Sequence, residues 1–151
     1  MSDIVVREAR PADLPACAAI VNDWVDTTPW HRRTLSRADT EEMFSPALLE
    51  ARTVLVAVEG ERVFGYLSLD EEEAFVRGLY LTPEARGRGA GKGLLDEAKR
   101  RCPDGLELGT HEPNEGAIRF YRREGFREVP EGRKADTPEG APELLMRWRP
   151  G

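Results

Sequence analysis

Residues 79–95 read L-Y-L-T-P-E-A-R-G-R-G-A-G-K-G-L-L, a strand-like run followed by a glycine-rich loop and the start of an apolar helical pattern. Within this stretch, residues 86–93 contain four glycines and three cationic side chains. Glycines let backbone N–H groups approach an anion closely, and the N-terminus of a helix attracts negative charge. The stretch therefore predicts a site for a ligand that carries phosphates. The alternative is a solvated basic turn whose glycines only allow close helix packing.

The spacing of the glycines excludes two common nucleotide-binding motifs. A Walker A loop has Gly five positions before its Gly-Lys pair and Ser or Thr after the Lys. Arg86 and Gly93 occupy those two positions here. The dinucleotide fingerprint G-x-G-x-x-G is also missing, because Lys92 or Leu94 stands where the third glycine is required. Neither a P-loop nor a dinucleotide site is therefore predicted.

The elements around the loop predict a mixed α/β (α+β) fold. From residue 74 to residue 125, strand, loop, helix, strand and helix alternate, which is typical of a parallel strand pair with a crossover helix. The crossover helix is predicted from its buried stripe Leu94, Leu95, Ala98 and Cys102. Upstream, β-rich runs separated by turn residues predict a first strand and then a meander, at residues 3–9, 53–58, 62–69 and 74–81.

Helices and closing strands are predicted from spacing and capping residues. An apolar face at helical spacing predicts a first helix after Pro11, and a second helix is predicted at residues 38–50. Asn114 is a good N-cap for a short helix, and Gly125 is suited to end it. The turn-rich connection at residues 133–143 is predicted to be mobile or to cover a bound ligand. The remaining predicted strands are residues 106–110, 126–129 and 143–148.

Length and composition predict one cytoplasmic domain over residues 1–151. The chain is 40% apolar and 33% charged, and it begins with a charged strand-like segment rather than a signal peptide. Its net charge of −6 argues against nucleic acid and anionic membranes as partners, because both need a basic surface. Cys17 and Cys102 fall in apolar helical patterns, so core thiols rather than a disulfide are expected. No metal is expected, because His31 and His111 are far apart in the sequence.

Two motifs at a matching separation resemble those of the GCN5-related N-acetyltransferase (GNAT) superfamily. The family's acyl-CoA-binding core, Q/R-x-x-G-x-G/A, corresponds to Arg86, Gly89 and Gly91. Residues 114–126, N-E-G-A-I-R-F-Y-R-R-E-G-F, resemble the family's N-x-x-A-x-x-F-Y-x-x-x-G-F segment. The resemblance implies a mostly antiparallel sheet of six to seven strands, a splay between strands 4 and 5, and about four flanking helices.

The resemblance also implies a binding site for acetyl-CoA, which serves as a co-substrate. The pantetheine arm would lie in the splay and bond to the main chain of Leu79 and Leu81. Asn114 would contact the same arm, although an N-cap role suits it at least as well. The pyrophosphate would be cradled by eight consecutive residues, namely Arg86, Gly87, Arg88, Gly89, Ala90, Gly91, Lys92 and Gly93.

The activity that the resemblance implies is transfer of an acetyl group from acetyl-CoA to a primary amine by direct attack. Tyr121 matches the family's tyrosine that meets the cofactor and protonates the departing thiolate, and a phenol is a plausible weak acid for that step. The other interpretation of Tyr121 is a core aromatic at helical spacing. A non-catalytic acyl-CoA-binding sensor or interaction module is the alternative function.

The general base is left open by the sequence. Histone-type members of the family carry a glutamate on the fourth strand, but Phe75 stands at the matching place and cannot take a proton. Glu73 would share its face by strand alternation, unless Glu71 to Glu73 form a solvated turn. Histidine titrates near neutral pH, which makes His111 a second candidate, although a lone loop histidine is often a surface residue. Proton relay through water is the third alternative.

The acceptor is expected to be the amine of a small molecule or of a peptide. The family's layout places acceptor contacts in the loop after the first helix and on the final strands. Trp30, His31 and Trp148 are therefore the predicted acceptor-binding residues. The expected oligomeric state is a monomer or a homodimer.

Overall fold

The fold is built on one seven-stranded sheet, seen in a computed structural model that describes residues 4–151. The sheet order is β1-β2-β3-β4-β5-β7-β6. The mixed α/β fold with six to seven strands is thereby confirmed, while position 3 of the predicted first strand lies outside the described residues. The strands are β1 (Val5–Glu8), β2 (Thr53–Glu59), β3 (Arg62–Asp70), β4 (Phe75–Leu81), β5 (Leu106–His111), β6 (Arg127–Lys134) and β7 (Glu143–Trp148).

Within residues 4–151, five α-helices accompany the sheet, and one of the predicted helices is divided in two. The single helix expected at residues 38–50 is wrong, because α2 ends at Met43 and α3 begins at Pro46. Proline cannot donate the backbone hydrogen bond that a continuous helix needs, and it forces the residue before it, Ser45, into an extended conformation. The helices are α1 (Leu14–Asp26), α2 (Arg37–Met43), α3 (Pro46–Ala51), α4 (Ala90–Arg101) and α5 (Glu115–Arg123).

Near the C-terminal part of the chain, one strand is longer than predicted, while both ends of α5 agree with the prediction. Strand β6 continues to Lys134, five residues beyond its predicted end, and Phe126 precedes it as a fully buried core residue. The predicted cap of α5 is present, since the Asn114 side chain accepts a hydrogen bond from the Ala117 N–H at 3.2 Å. Gly125 has a φ of 97° and ends this helix in the left-handed conformation expected of it.

The strand pairing creates a gap in the middle of the sheet. All neighbours pair antiparallel except β4 and β5, which are parallel and pair only through Phe75–Glu107 and Val76–Leu108. Beyond Val76 the two strands diverge, so the splay predicted between strands 4 and 5 is confirmed. The facing edge of β4 from Arg77 onward has no strand partner, and its peptide groups are available to a ligand.

Apolar side chains form a core cluster on each face of the sheet. One cluster packs α4 and α5 through fully buried Leu94, Leu95 and Phe126, and the other packs α1 through Leu14 and Val56. Both cysteines are free and buried, Cys102 in the first cluster and Cys17 in the second. The expectation of core thiols without a disulfide is therefore confirmed. No helix within residues 4–151 has the length and hydropathy needed to cross a membrane.

A buried carboxylate fixes the start of α1 against β1. Asp13 accepts hydrogen bonds from Arg7 Nη1 at 2.7 Å, from Arg7 Nη2 at 3.2 Å and from the Arg10 N–H at 2.8 Å. The hydrogen bonds from Arg7 lower the pKa of Asp13 below its ordinary value, even though burial opposes this. This contact orients α1, whose other end carries Trp24 to the cleft described below.

Asp13→Asn should lower the free energy of unfolding by about 1.5–3 kcal/mol near pH 7, the usual range for hydrogen bonds to charged groups. Because the folded-state pKa of Asp13 is lowered, its contribution is fully present above the unfolded value of about 3.9. The contribution is lost as the pH falls through the lower folded value, so the variant and the parent protein should converge in acid. Urea unfolding over this pH range measures the difference, with Asp104→Asn as an exposed control. A difference that stays constant down to about pH 3 would contradict a role for the ionised carboxylate.

Candidate active site

A single cleft of about 940 Å³ runs through the gap between β4 and β5. At one end it is lined by the glycine loop after β4, and in its middle by β4, β5 and α5. At the other end it is lined by the loop after α1, by Glu139 from the connection between β6 and β7, and by Glu143, the first residue of β7. We call this second end the mouth, and we define it by His31, His111 and these two glutamates.

At the loop end, glycines serve two different physical needs. Gly87 and Gly89 have φ values of 76° and 81°, a left-handed conformation that side chains with a Cβ rarely adopt. Gly89 also caps α4, which begins at Ala90. Gly91 is needed for close packing, because a Cβ there would lie 3.3 Å from both Leu81 and Phe120. Six of the eight predicted cradle residues line the cleft, namely Arg86, Gly87, Gly89, Ala90, Gly91 and Lys92.

The three cations of the loop are in different situations. The Arg86 side chain lines the cleft and has no ion pair or hydrogen bond within residues 4–151. Lys92 also lines it but pairs with Glu124 at 3.1 Å and Asp96 at 3.4 Å, and the hydrogen bond that Lys92 donates to Glu124 raises the pKa of Lys92. Arg88 does not line the cleft, since it pairs with Glu59 at 2.8 Å.

The middle of the cleft contains Leu79, Leu81, Asn114 and Tyr121 as predicted. Tyr121 is also a core residue, with Phe120 and Phe126 rings at 5.4 and 5.8 Å, so it fits both interpretations drawn from the sequence. Burial raises the pKa of Tyr121, with a smaller contribution from Tyr80. Its hydroxyl therefore remains protonated at neutral pH and can donate a hydrogen bond into the cleft.

The mouth places a histidine beside two carboxylates. His111 Nε2 lies 3.0 Å from Glu139 Oε1 and 3.8 Å from Glu143 Oε2. The ring of His31 packs edge-on against that of His111, with 5.6 Å between centroids. Burial lowers the pKa of His31, and the nearby His111 lowers it further, so His31 is neutral at physiological pH.

The aromatic walls of the mouth come from three parts of the chain. Trp24 packs against Trp30, His31 and Tyr80, with ring centroids 5.0–5.8 Å apart. Burial raises the pKa of Tyr80, and the neighbouring Glu139 and Glu143 raise it further. A neutral phenol and two carboxylates therefore share this end of the cleft with the histidines.

Comparisons with known proteins agree with this geometry. The model of the family described as "Acetyltransferase (GNAT) family" matches residues 17–126. This chain belongs to the GNAT family. Members of this family are acetyl-CoA-dependent N-acetyltransferases, and the chain is accordingly an enzyme of that class.

Two curated relatives match this GNAT chain over nearly their whole length. "Peptidyl-lysine N-acetyltransferase YjaB" of Salmonella typhimurium is 31% identical over 143 residues, which cover 95% of each chain. "Peptidyl-lysine N-acetyltransferase YiaC" of Escherichia coli is 29% identical over 147 residues, covering 95% of this chain and 96% of the relative.

A solved structure also resembles the chain and contains the expected co-substrate. The structure of yncA from Salmonella typhimurium with its cofactor acetyl-CoA has a TM-score of 0.74 and is 26% identical, covering 98% of this chain and 94% of that one. The cleft of the present GNAT chain suits the same molecule, because it joins a glycine-rich loop at the N-terminus of α4, where anions are favoured, to the open edge of β4.

Five of the predicted site residues do not line the cleft: Trp30 lies beside it, as described below, and the other four lie elsewhere. Glu73 is exposed in the turn between β3 and β4, and its N–H bonds to Asp70, so strand alternation does not carry it into the site. Trp148 packs on the opposite side of β7, where Lys99 lies 5.0 Å from its ring. Arg88 is held by Glu59 as described, and Gly93 packs beside Val6, where a Cβ would lie 3.1 Å from Val6 Cγ2.

Of the other two residues predicted to bind the acceptor, one lines the cleft and one does not. His31 lines the cleft, whereas Trp30 lies beside the mouth, with its ring 5.5 Å from that of His111. The connection before β7 does cover this end, because Arg32 N–H donates to the Glu139 carbonyl at 2.7 Å and Glu112 N–H to the Pro142 carbonyl at 2.8 Å.

Three residues of the mouth were missed in the sequence. Along β4, the side chain of Tyr80 points to the opposite face from those of Leu79 and Leu81. This strand alternation could have shown that Tyr80 faces α1. Glu139 and Glu143 carried no local signal, since the pairing of β7 with β5 brings Glu143 to His111 and the folded connection before β7 brings Glu139 there.

The mouth also bears on the expectation that no metal is used. His31 and His111 are near each other despite their sequence separation, so that separation is no argument against a metal. Ligand atoms of His111, Glu139 and Glu143 lie within 4.8 Å of one another and could hold a metal ion. Because His111 and Glu139 already contact each other directly, catalysis without a metal stays our prediction.

Arg86→Ala should weaken acetyl-CoA binding about tenfold, because loss of a charge-assisted hydrogen bond costs about 1.4 kcal/mol or more. Arg88→Ala is the matched control, since this arginine belongs to the same loop but points away from the cleft to Glu59. Isothermal titration calorimetry at fixed ionic strength measures both dissociation constants. Equal weakening by the two substitutions would contradict a specific contact by Arg86.

Proposed function

We propose that this enzyme acetylates the side-chain amine of lysine in a peptide, by direct attack of the amine on acetyl-CoA with Tyr121 as the general acid. The observation that carries the proposal is the continuity of the cleft from the glycine loop, past Tyr121, to a mouth that holds two carboxylates. A bound acetyl-CoA would lie along this path, with its thioester near the middle. The acceptor would reach the thioester from the mouth.

Charge at the mouth supports a cationic acceptor. Glu139 and Glu143 both line the cleft, and the chain as a whole has a net charge of −6. Lysine ammonium is a compact cation that carboxylates attract over a distance. The relatives named as peptidyl-lysine N-acetyltransferases support a peptide over a free small amine as the acceptor.

Catalysis would rest on positioning and on two polar contacts. Holding the amine in line with the thioester contributes several kcal/mol in well-oriented systems, on the order of 7 or more. A backbone N–H on the open edge of β4 would donate to the thioester carbonyl and stabilise the oxyanion that forms during attack. Tyr121 would donate to the sulfur as the C–S bond breaks, and its raised pKa keeps the proton in place until then.

Tyr121→Phe should lower kcat about 100-fold, because a positioned general acid typically contributes a factor of about 100 or more. The dissociation constant of acetyl-CoA should change less than about twofold, since the ring remains and the phosphate contacts lie elsewhere. Thiol release measures kcat, and calorimetry measures binding. Tyr66→Phe is the comparison variant, a buried tyrosine that also lines the cleft but belongs to the core cluster on the other face of the sheet. An unchanged kcat would remove Tyr121 from the mechanism.

The acceptor class can be tested separately with a panel of amines. Lysine-containing peptides should release thiol from acetyl-CoA faster than free polyamines, amino acids or aryl amines at equal concentration. Mass spectrometry of the peptide should place the acetyl group on the lysine side chain. Turnover of a small amine with none of the peptides would correct the acceptor class while leaving the acetyltransferase activity intact. Stabilisation by acetyl-CoA with no turnover on any amine would instead favour a non-catalytic acyl-CoA-binding module.

A further inference from the structure

The mouth contains a histidine whose two ring nitrogens have different environments. His111 Nε2 contacts Glu139 Oε1 at 3.0 Å, with Glu143 Oε2 second at 3.8 Å. Within residues 4–151, the other nitrogen, Nδ1, has no hydrogen-bond partner and is not among the buried polar atoms that lack one. His111 lines the cleft, so Nδ1 is open to a molecule or a water there. This asymmetry is what a base with a fixed tautomer requires.

We infer that His111 is the general base of the reaction and that Glu139 is a positioning residue that holds its tautomer. The carboxylate accepts the proton on Nε2, which leaves the lone pair on Nδ1. The partner of one ring nitrogen decides the tautomer, and a carboxylate in this place also stabilises the imidazolium that forms. The inference rests on the proposed function, because it needs an amine acceptor to deprotonate.

Glu139 is itself held by the backbone, which distinguishes it from a mobile surface carboxylate. Its carbonyl accepts the Arg32 N–H at 2.7 Å, and the flanking chain is closed by Gly140 N–H to the Thr137 carbonyl at 3.0 Å. The Thr137 hydroxyl donates to the Ala141 carbonyl at 2.6 Å. The segment between β6 and β7 is thus folded into a turn that delivers a carboxylate to His111. This gives the segment a function beyond covering the acceptor.

Other charged or titratable groups around His111 do not replace this pair. His31 is neutral because burial lowers its pKa, and Arg33 is engaged with Asn22 and Asp26. The Lys134 ammonium lies 4.0 Å from Glu143 rather than beside His111. Tyr80 stays protonated because burial and the two glutamates raise its pKa. Glu139 and Glu143 are therefore the only anionic groups within residues 4–151 that the structure places against the His111 ring.

The protons of the reaction balance in this arrangement. The lysine ammonium gives one proton to Nδ1 of His111, which later returns it to solvent. The neutral nitrogen then attacks the carbonyl carbon of the thioester, forming the C–N bond, and the C–S bond breaks. Tyr121 gives its proton to the departing sulfur, and the phenol is restored by the second proton that the new amide nitrogen loses. The products are an acetylated lysine, a free thiol and one proton in solvent.

The test is the pH dependence of kcat/KM for a lysine peptide at saturating acetyl-CoA, measured for the parent enzyme and for His111→Ala and Glu139→Gln. In His111→Ala the rate should fall about 100-fold near pH 7, and the loss should shrink as the pH approaches the amine's own pKa of about 10.4. Solvent supplies the neutral amine at high pH, so a base is no longer needed there. A variant that lost only structure would be impaired equally at every pH.

Glu139→Gln should lower kcat/KM about tenfold near pH 7, and this loss should shrink as the pH approaches the pKa of the amine, as in His111→Ala. Without the carboxylate, the imidazolium that forms during the reaction is less stabilised and the histidine accepts the proton less readily. Glu112→Gln is the matched control, because Glu112 adjoins His111 in the chain but pairs with Arg133 at 2.7 Å. Its pH profile should match that of the parent enzyme. Thermal melting and acetyl-CoA binding, unchanged in Glu139→Gln, would show that the fold and donor site persist.

The outcomes separate this inference from the proposed function. If the parent enzyme acetylates the peptide but His111→Ala shows the same fractional loss at all pH values, the inference is wrong and the function stands. The same fractional loss at all pH values in Glu139→Gln, or a larger loss near pH 7 in Glu143→Gln, would overturn the role of Glu139. If the parent enzyme binds acetyl-CoA but acetylates no amine, the proposed function fails and this inference fails with it.

Discussion

The short pairing of β4 with β5 is the constraint on which the rest of this structure depends. Two residue pairs hold the strands together at Phe75 and Val76, and beyond them the strands part. Backbone groups that lose their partners must find others, and here the free edge of β4 faces a cleft that a linear co-substrate fits. Gly91 lets α4 begin close to Leu81 and Phe120, because a Cβ there would lie 3.3 Å from both side chains.

The two ends of the cleft are built in different ways. The donor end comes from one continuous stretch, in which the loop glycines adopt left-handed conformations and expose N–H groups at the start of α4. The acceptor end is assembled from distant segments: a loop after α1, the end of β5, and the connection that leads into β7. The position of its charged side chains depends on the strand pairing in the sheet, since His111 of β5 lies directly opposite Glu143 of β7. Donor recognition is therefore local, and acceptor recognition depends on the whole fold.

Particular residues show where reasoning from the sequence succeeds and where it stops. Tyr121 and Asn114 lie where their motif predicts, because a helix with a clear N-cap carries both at fixed spacing. The prediction for Glu73 is wrong because alternation shows which face of a strand a side chain takes, but not whether the strand extends to that residue. The prediction that Trp148 lines the acceptor site is wrong for a related reason, since the register of β7 with β5 decides which face of the sheet its side chain takes. The break between α2 and α3 was visible in Pro46 and could have been predicted.

The sequence by itself determined the donor side of this protein: its family, the order of its elements, the glycine-rich loop before α4 and the tyrosine of α5. Those features follow from patterns within a few residues, where spacing decides conformation directly. Only the tertiary structure decided the acceptor side. The contact between His111 and Glu139, and the ring packing of His31 on His111, join residues that are far apart in the chain. Such contacts depend on strand register and loop closure, which no short stretch of sequence encodes.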